Sequence, residues 1–245
     1  MLLKDKVAVI TGGASGMGKA EALAFAEKGA KVVIADINYE GAQKVVNEII
    51  VNGGSALALQ VNMTNSAKIN DMVQVILSEL GQIDILVNNA GVFDKYKTSL
   101  ETSEEDWDFI FNINLKSIFL LSNSALPGMI SRGNGTIINI SSVAGLVAGK
   151  GGAAYTASKH GLIGYTKHLA SVYASQGIKV NAICPGTIVT PLTKDILDNI
   201  PVDNIPARRF GHQEEVAELA VFLASDQAKF MNGTAIPIDG GFTIQ

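Results

Sequence analysis

Short apolar runs alternate with longer amphipathic segments along the whole chain. The apolar runs are continuous in Val, Ile, Leu and Ala, which is typical of parallel strands covered on both faces. They predict seven strands, at Val7–Ile10, Val32–Asp36, Ala56–Val61, Asp84–Val87, Thr136–Ile140, Lys179–Ile183 and Ala235–Ile238. The segments between them repeat apolar residues with a helical period and predict helices at Met17–Lys28, Glu40–Asn52, Ser66–Leu80, Glu104–Arg132, Ala153–Gln176 and Gln213–Ala224. This alternation predicts an α/β fold, a doubly wound parallel sheet of seven strands with right-handed crossovers and helices on both faces.

The chain shows no internal boundary. No repeat, low-complexity stretch or Pro/Ser-rich linker divides its 245 residues, so we expect one domain over residues 1–245. The weakest pattern lies at residues 190–210, which contain Pro191, Pro201 and Pro206. This segment follows the sixth predicted strand, where a ligand crevice opens in such sheets. We interpret it as a substrate lid.

Composition narrows the class of protein. The chain is 47% hydrophobic and only 17% charged, below the ~25% charged residues of typical soluble domains. No apolar run has the length of a membrane span, and Met1–Ile10 lacks the apolar core of a signal peptide. We therefore expect a cytoplasmic protein that buries surface in an oligomer. A net charge of -4 argues against nucleic acid as a partner, and the single cysteine, Cys184, excludes an internal disulfide.

A glycine-rich turn, Thr11–Gly18, joins the first predicted strand to the first helix. Gly12, Gly16 and Gly18 permit a tight turn and let the backbone approach a pyrophosphate, while the helix N-terminus offers free N–H groups. A merely flexible turn is the alternative interpretation. The strand before it, the helix after it and an acid about 20 residues further on are the context that a dinucleotide site requires.

That acid is Asp36, at the end of the second predicted strand. A carboxylate there can accept hydrogen bonds from ribose hydroxyls and would repel a 2′-phosphate. Ile37 follows it, Ser15 rather than a basic residue precedes Gly16, and no arginine is near. We therefore expect NAD rather than NADP as cofactor. The alternative is a solvated carboxylate at a strand end.

Tyr155 and Lys159 stand four residues apart near the start of a long predicted helix, so they share one face. A lysine ammonium beside a phenol favours the phenolate and lowers the pKa of the tyrosine. Such a tyrosine can act as a general acid or base. Ser142 follows the fifth predicted strand, at the sheet edge where ligands bind, and its hydroxyl can donate to a substrate carbonyl.

Taken together, these motifs resemble the short-chain dehydrogenase/reductase family. The resemblance spans essentially the whole chain and rests on Thr11–Gly18, Asn88–Gly91, Ser142, Tyr155 with Lys159, Pro185-Gly186 and Asp239–Gly241. It implies a single Rossmann-type domain, usually a homotetramer. It also implies an oxidoreductase that transfers a hydride between NAD(H) and a small secondary alcohol or ketone.

The resemblance assigns four catalytic residues. Tyr155 would give a proton to the carbonyl oxygen in reduction or take the hydroxyl proton in oxidation. Lys159 would lower the tyrosine pKa and hold the nicotinamide ribose, and Ser142 would orient the substrate oxygen. Asn114 would interrupt the fourth helix and hold a water of a proton relay, although a partly exposed polar position is the alternative. Ser141 does not have the family spacing.

The resemblance also implies which residues bind the cofactor. They are Gly12, Ser15, Gly16, Met17, Gly18, Asp36, Ile37, Asn62, Met63, Asn89, Ala90, Gly91, Tyr155, Lys159, Pro185, Gly186, Ile188 and Thr190. One position departs from the family, which commonly has Asp where this chain has Asn62. We expect the side-chain oxygen of Asn62 to accept a hydrogen bond from the adenine amino group in its place.

Several alternatives stay open. A 3-oxoacyl-(acyl carrier protein) reductase resembles this chain closely, but those enzymes mostly use NADPH and carry arginines where this chain has Gly133 and Gln176. A non-catalytic dinucleotide-binding paralogue would be expected to lose the catalytic Tyr, Lys or Ser, and this chain keeps all three.

We expect no catalytic metal, although some relatives hold a structural Mg²⁺ near a terminal Gln, here Gln245. The pocket walls are expected at residues 93–97, 144–152 and 190–210, with Asp94, Lys95 and Tyr96 able to face a polyol or a sugar.

Overall fold

Seven parallel strands form one sheet in the computed structural model, which describes residues 1–244, without the side chain of Asn199. The strands are β1 (Val7–Thr11), β2 (Lys31–Asp36), β3 (Ser55–Gln60), β4 (Ile85–Asn88), β5 (Gly135–Ile140), β6 (Ile178–Pro185) and β7 (Ala235–Ile238). Their order in the sheet is β3-β2-β1-β4-β5-β6-β7, and each neighbouring pair is parallel. The predicted fold class and all seven predicted strands are confirmed.

Helices connect the strands and cover both faces of the sheet. They are α1 (Gly16–Glu27), α2 (Tyr39–Val51), α3 (Ser66–Leu80), α4 (Glu104–Phe111), α5 (Ser117–Ser131), α6 (Ala153–Tyr173) and α7 (Gln213–Ala224). The apolar period predicts a single helix at Glu104–Arg132, whereas the resemblance implies that Asn114 interrupts it. The interruption is present, because a π-helical turn at Asn112–Lys116 separates α4 from α5. Such turns are often found at functional sites.

Local capping explains where several helices begin and end. The side chains of Asn38, Asn65 and Ser103 accept hydrogen bonds from main-chain N–H groups in the first turns of α2, α3 and α4. Gly81 ends α3 in the left-handed conformation, with φ of 79°, which glycine adopts without steric cost. The first turn of α6 follows Gly152 and has no such cap of its own.

The core lies in two layers because successive side chains of a strand point to opposite faces. Ile10 packs in the layer formed with α1, α2 and α7. Val9 packs in the layer formed with α3, α5 and α6. By length and composition alone the helical run Glu104–Ser131 could cross a membrane, but Leu121, Leu126 and Met129 of this run belong to the second core layer.

The sheet topology fixes where a ligand can bind. The chain reverses its direction of winding between β1 and β4, which are neighbours in the sheet. In open α/β sheets, ligands bind outside the carboxyl ends of the strands at this switch point. The segment 190–210 follows β6 and contains two short 3₁₀ turns, Lys194–Asn199 and Val202–Asn204. It therefore stands on the side of the sheet where the crevice opens.

Candidate active site

Two adjoining cavities open at the carboxyl edge of the sheet. The first, which we call the switch-point cleft, has a volume of about 470 Å³ and contains the glycine-rich turn and Asp36. The second, which we call the tyrosine pocket, has a volume of about 500 Å³ and contains Ser142 and Tyr155. Leu192 lines both. A larger groove of about 710 Å³ lies between α1, α2 and α7, away from these residues.

Most of the sequence-predicted cofactor residues meet in the switch-point cleft. Those that line it are Gly12, Ser15, Gly16, Met17, Asp36, Ile37, Asn62, Met63, Asn89, Ala90, Gly91 and Thr190. Tyr155 and Gly186 line the tyrosine pocket instead. Gly18, Lys159, Pro185 and Ile188 line neither cavity and are buried.

The glycine-rich turn has a conformation that other residues would not tolerate. Gly12 and Gly16 have φ of 69° and 55°, and a Cβ atom on Gly18 would lie 2.3 Å from the carbonyl oxygen of Gly12. The side-chain amide of Asn89 donates to the carbonyl oxygens of Thr11 and Gly12, at 2.9 and 3.3 Å. The end of β4 therefore holds the turn in place, and Asn89 uses its amide N–H groups for this contact.

The carboxylate of Asp36 is fixed at the rim of the cleft. One oxygen accepts the N–H of Ala14 and the other accepts the N–H of Asn38, both at 2.9 Å. A carboxylate offers about four lone-pair sites. Those that remain can accept from ligand hydroxyls, which is the geometry expected for recognition of an adenosine ribose.

The role expected for Asn62 needs a correction. Its side-chain oxygen accepts the main-chain N–H of Thr64 at 3.0 Å and the Thr64 hydroxyl at 2.8 Å. Because both lone pairs of that oxygen are used within the loop, it does not serve as the acceptor for an adenine amino group. Asn62 still lines the cleft, and its amide N–H groups are donors that can face a ligand.

Tyr155 and Ser142 meet in the tyrosine pocket. The Ser142 hydroxyl lies close enough to the Tyr155 hydroxyl to lower its pKa, and it accepts the N–H of Ala144 at 3.1 Å. The ring of Phe93 packs edge-on against the Tyr155 ring, with centroids 4.9 Å apart. The neighbouring Ser141 instead donates its hydroxyl to the carbonyl oxygen of Lys159 at 3.1 Å. Ser142 is therefore the serine available to a substrate.

Lys159 is buried beneath the tyrosine. Its ammonium donates to the carbonyl oxygen of Ile140 at 2.8 Å and lies 5.6 Å from the centroid of the Tyr155 ring. Burial lowers the pKa of Lys159 to about 8 and raises the pKa of Tyr155 to about 12. The expectation that the lysine lowers the tyrosine pKa is therefore wrong for this structure, because desolvation of the phenolate dominates and the effect that opposes it comes from Ser142.

Asn114 lies in the π-helical turn and is fully buried. Its side-chain oxygen accepts the N–H of Val92, and its amide donates to the carbonyl oxygen of Val92, both at 2.9 Å. The amide also donates to the Ser158 hydroxyl at 3.3 Å. Asn114 thus ties the loop after β4 to α6, close to Lys159 and Tyr155.

Asp94 is a residue of the site that the sequence interpretation missed. The sequence leaves it able to face a polyol or a sugar together with Lys95 and Tyr96, and those two residues do line the tyrosine pocket. Asp94 does not; its two carboxylate oxygens accept the N–H groups of Gly152 and Tyr155 at 2.9 and 2.8 Å. The signal for this contact was the missing cap at the start of α6, which requires an acceptor from another part of the chain.

Metal-binding side chains do not gather around the site. Within residues 1–244, no group of three or more His, Cys, Asp or Glu residues is arranged to hold a metal ion. The alternative of a structural ion near Gln245 concerns a residue outside the described part of the chain.

Comparison with known proteins agrees with this geometry. A family model described as enoyl-(acyl carrier protein) reductase matches residues 12–243. The chain is 41% identical to the 3-oxoacyl-[acyl-carrier-protein] reductase FabG of Thermotoga maritima, with full coverage of both proteins. It is 39% identical to the cyclohexanol dehydrogenase of Acinetobacter sp. strain SE19, covering 98% of this chain and 95% of that protein.

A solved structure extends the comparison to three dimensions. The protein is from Beutenbergia cavernae, is provisionally described as an NAD(P)-dependent gluconate 5-dehydrogenase, and contains NADP at low occupancy. It superposes with a TM-score of 0.94 at 34% identity and covers 99% of this chain and 98% of that one. The fold is therefore shared with a protein described as acting on gluconate, and the chain is similar along its whole length to proteins named for other substrates.

Proposed function

The chain belongs to the short-chain dehydrogenase/reductase family of oxidoreductases, and on that premise we propose that it transfers a hydride between NAD(H) and a secondary alcohol or ketone. The observation that carries this proposal is the hydroxyl pair of Tyr155 and Ser142, placed in a pocket that adjoins the switch-point cleft. Proton donor, carbonyl-binding group and dinucleotide cleft meet at one edge of the sheet.

The cleft fits a nicotinamide dinucleotide. Its glycine-rich turn leads into the N-terminus of α1, where free N–H groups favour a pyrophosphate. Asp36 would accept the adenosine ribose hydroxyls, and Gly186 and Thr190 would lie along the nicotinamide end. When bound, the dinucleotide supplies or accepts the hydride, and the protein contributes orientation and proton transfer.

Tyr155 would handle the proton. In reduction its hydroxyl gives a proton to the carbonyl oxygen as the hydride reaches the carbonyl carbon, and in oxidation the phenolate takes the alcohol proton. Ser142 would donate a hydrogen bond to the same substrate oxygen and stabilise the charge that develops there. The raised pKa of Tyr155 keeps the hydroxyl protonated near neutral pH, so it is available as a proton donor for reduction.

Lys159 and Asn114 would support this step from behind the tyrosine. Lys159 is buried with its ammonium on the Ile140 carbonyl oxygen, so it can hold the nicotinamide ribose only from a fixed position. A Cβ atom on Gly91 would lie 3.6 Å from that ammonium and 3.4 Å from the Asn114 side-chain oxygen. These two polar groups therefore flank the Gly91 backbone at the floor of the cleft, where a proton relay would start.

We propose NAD rather than NADP because Asp36 places a carboxylate where a 2′-phosphate would lie. The Beutenbergia cavernae protein contains NADP at low occupancy, so the fold alone does not select NAD. Initial rates with NADH and NADPH, measured with one ketone, test the proposal. A preference for NADPH would contradict it.

A second candidate substrate class is a 3-oxoacyl thioester. The T. maritima relative is a 3-oxoacyl reductase, and Lys95 and Lys150 line the tyrosine pocket, which has no Asp or Glu among its lining residues. Two cationic side chains would favour an acidic carrier. Rates with cyclohexanone and with a 3-oxoacyl thioester distinguish the two classes of substrate.

The remaining proposals concern assembly and location. Trp107, Phe109 and Phe119 of α4 and α5 are large exposed apolar residues. A groove between this helical run and α6 is lined by Phe119, Leu115 and Tyr165. We propose that this face packs between subunits of a homotetramer in the cytoplasm.

We also propose that residues 190–210 act as a substrate lid. Leu192, Ile196 and Ile200, which lie in the wall of the tyrosine pocket, support this proposal.

A further inference from the structure

We infer that Asp94 is a positioning residue, whose carboxylate fixes the first turn of α6 and thereby holds the Tyr155 hydroxyl against Ser142. This inference rests on the proposed function, since it concerns the tyrosine assigned there to proton transfer. Asp94 is only 7% exposed and lines neither the switch-point cleft nor the tyrosine pocket. It therefore acts through Tyr155 rather than on a ligand.

The hydrogen bonds of Asp94 carry the first step. Its carboxylate takes the N–H of Gly152 at 2.9 Å and the N–H of Tyr155 itself at 2.8 Å, across 58 and 61 residues of chain. The first N–H groups of a helix have no partner within the helix. Because Gly152 has no side chain to cap α6, the distant carboxylate serves as the cap, and its negative charge is favourable at a helix N-terminus.

The packing around Gly152 shows that the contact is close. A Cβ atom on Gly152 would lie 2.5 Å from both carboxylate oxygens of Asp94 and 2.5 Å from the carbonyl oxygen of Lys97. Only glycine leaves room for the carboxylate there. The glycine and the acid therefore form one unit, although they lie on different segments of the chain.

The loop that presents Asp94 has an unfavourable backbone conformation. Lys95 and Tyr96 both have positive φ, 53° and 63°, a region that residues with side chains seldom occupy in succession. Such conformations persist only where the surroundings enforce them. Here the loop is held from two sides, by the Asp94 hydrogen bonds and by the ring of Phe93, which packs edge-on against Tyr96 at 5.0 Å and Tyr155 at 4.9 Å.

The charge of Asp94 adds a second, electrostatic effect. The groups that face Tyr155 come from four elements and are Asp94 and Tyr96 of the loop after β4, Ser142 after β5, Lys159 of α6 and Cys184 of β6. Burial raises the pKa of the Cys184 thiol to about 11, and the pKa of Tyr96 is raised as well, so both are neutral near pH 7. Burial is the largest effect that raises the pKa of Tyr155, and the negative charge of Asp94 is the next largest effect in that direction.

Replacing Asp94 by a neutral residue should therefore change the pH dependence of the rate, which loss of a helix cap alone would not do. Asp94→Asn keeps the shape of the side chain but removes its charge and one of its two acceptors. We expect kcat to fall about tenfold because the tyrosine is held less precisely. We also expect the rise of the oxidative rate with pH, which follows the phenolate fraction, to occur about one unit lower, while KM for NADH stays unchanged. Asp94→Ser, which keeps one acceptor and has no charge, provides a second variant with the same expected shift.

The matched control is Ser103→Ala, which removes the cap of the neighbouring helix α4 at a site that faces neither cavity. The control is expected to lower the melting temperature without moving the pH profile. Both Asp94 variants could lower the melting temperature and leave the pH dependence of the oxidative rate as it is in the wild type. Asp94 would then be a structural cap only, and the inference would be overturned.

A readout independent of turnover separates this inference from the proposed function. The wild type and each variant are labelled with 3-fluorotyrosine. The Tyr155 resonance, assigned with Tyr155→Phe, is followed by ¹⁹F NMR from about pH 8 to about pH 12, a range that reaches the raised pKa of Tyr155. The resonance is expected to titrate at lower pH in Asp94→Asn than in the wild type. If the wild type transfers no hydride to any ketone, the proposed function fails while this titration still decides the inference. An unmoved titration overturns the inference even in an active enzyme.

Discussion

The main-chain N–H of Ala14 donates a 2.9 Å hydrogen bond to the carboxylate of Asp36, which lies 22 residues further along the chain. This bond joins the glycine-rich turn to the end of β2 and fixes the orientation of the carboxylate at the cleft. Cofactor choice therefore depends on a charge that is held in place, since a pre-ordered carboxylate cannot turn away from a 2′-phosphate without losing this bond.

Replacing Asp36 by Ser should relax the preference for NADH. The serine removes the negative charge but keeps a hydroxyl for the ribose, so kcat/KM for NADPH should rise relative to NADH by roughly tenfold to a hundredfold, about 1.4 to 2.7 kcal/mol. The control is Glu40→Gln, which changes charge equally in the first turn of α2 but lines neither cavity of the site. Equal ratios in wild type and Asp36→Ser would show that this carboxylate does not select the cofactor.

The raised pKa of Tyr155 predicts opposite pH dependence for the two directions. With a pKa of about 12, the hydroxyl is protonated at all ordinary pH values, so reduction should not decline through loss of this proton below about pH 9. Oxidation needs the phenolate, whose fraction rises about tenfold per pH unit below the pKa. Steady-state rates in both directions test this. A bell-shaped reductive profile centred near neutral pH would contradict it.

The burial of the Glu21 carboxyl group predicts that the free energy of unfolding depends on pH, independently of catalysis. It is fully buried in α1, its carboxyl oxygens have no hydrogen-bond partner, and burial raises its pKa to about 8. Because the folded state holds this proton more tightly than the unfolded chain, stability is highest below the unfolded pKa near 4.5 and falls until the pH passes about 8. Urea unfolding should show a loss of roughly 2–5 kcal/mol between pH 5 and pH 8.

Glu21→Leu should remove most of that pH dependence, because it replaces the carboxyl group by an apolar one of similar size. Glu27→Gln, at an exposed position of the same helix, should retain the wild-type profile. Parallel profiles for the wild type and Glu21→Leu would mean that the carboxyl group of Glu21 finds a partner or solvent.

Most of the fold could be predicted from the sequence, because its signals are local. Continuous apolar runs mark strands buried on both faces, and the predicted helices Ser66–Leu80 and Gln213–Ala224 have the bounds seen in the structure. The π-helical turn at Asn112–Lys116 was different. The apolar period continues through it, so only the resemblance indicated an interruption at Asn114. The hydrogen-bond partner of Asn114, Val92, lies in another segment.

In the site, too, features that depend on neighbouring residues could be predicted, and features that depend on distant residues could not. The glycine-rich turn and the Tyr155/Lys159 pair were found because each is a short motif with its own chemistry. The hydrogen bonds of Asp94 to the start of α6 were not predicted, since nothing in its neighbours along the chain indicates a partner some sixty residues away. The direction of the Tyr155 pKa shift was also missed, because it depends on burial, which spacing along the chain does not report.

The exposed apolar face of α4 and α5 predicts a stable oligomer. Sedimentation at micromolar concentration should show a tetramer, and Phe119→Glu should shift it to smaller species because a charge would be buried in the interface. Val51→Glu, at an exposed apolar position at the end of α2, should leave assembly unchanged. A wild-type monomer would contradict the assembly proposal without affecting the catalytic one.

The most direct test compares the wild type with Tyr155→Phe. Both are assayed with NADH across a panel of ketones and 3-oxoacyl thioesters, and NADH binding is measured on the same samples. Removing the hydroxyl takes away the proton donor but leaves the switch-point cleft intact. The account predicts that turnover falls by at least about a thousandfold while NADH affinity stays within about twofold of the wild type. Turnover that survives within about tenfold of the wild type would contradict the assignment of proton transfer to Tyr155.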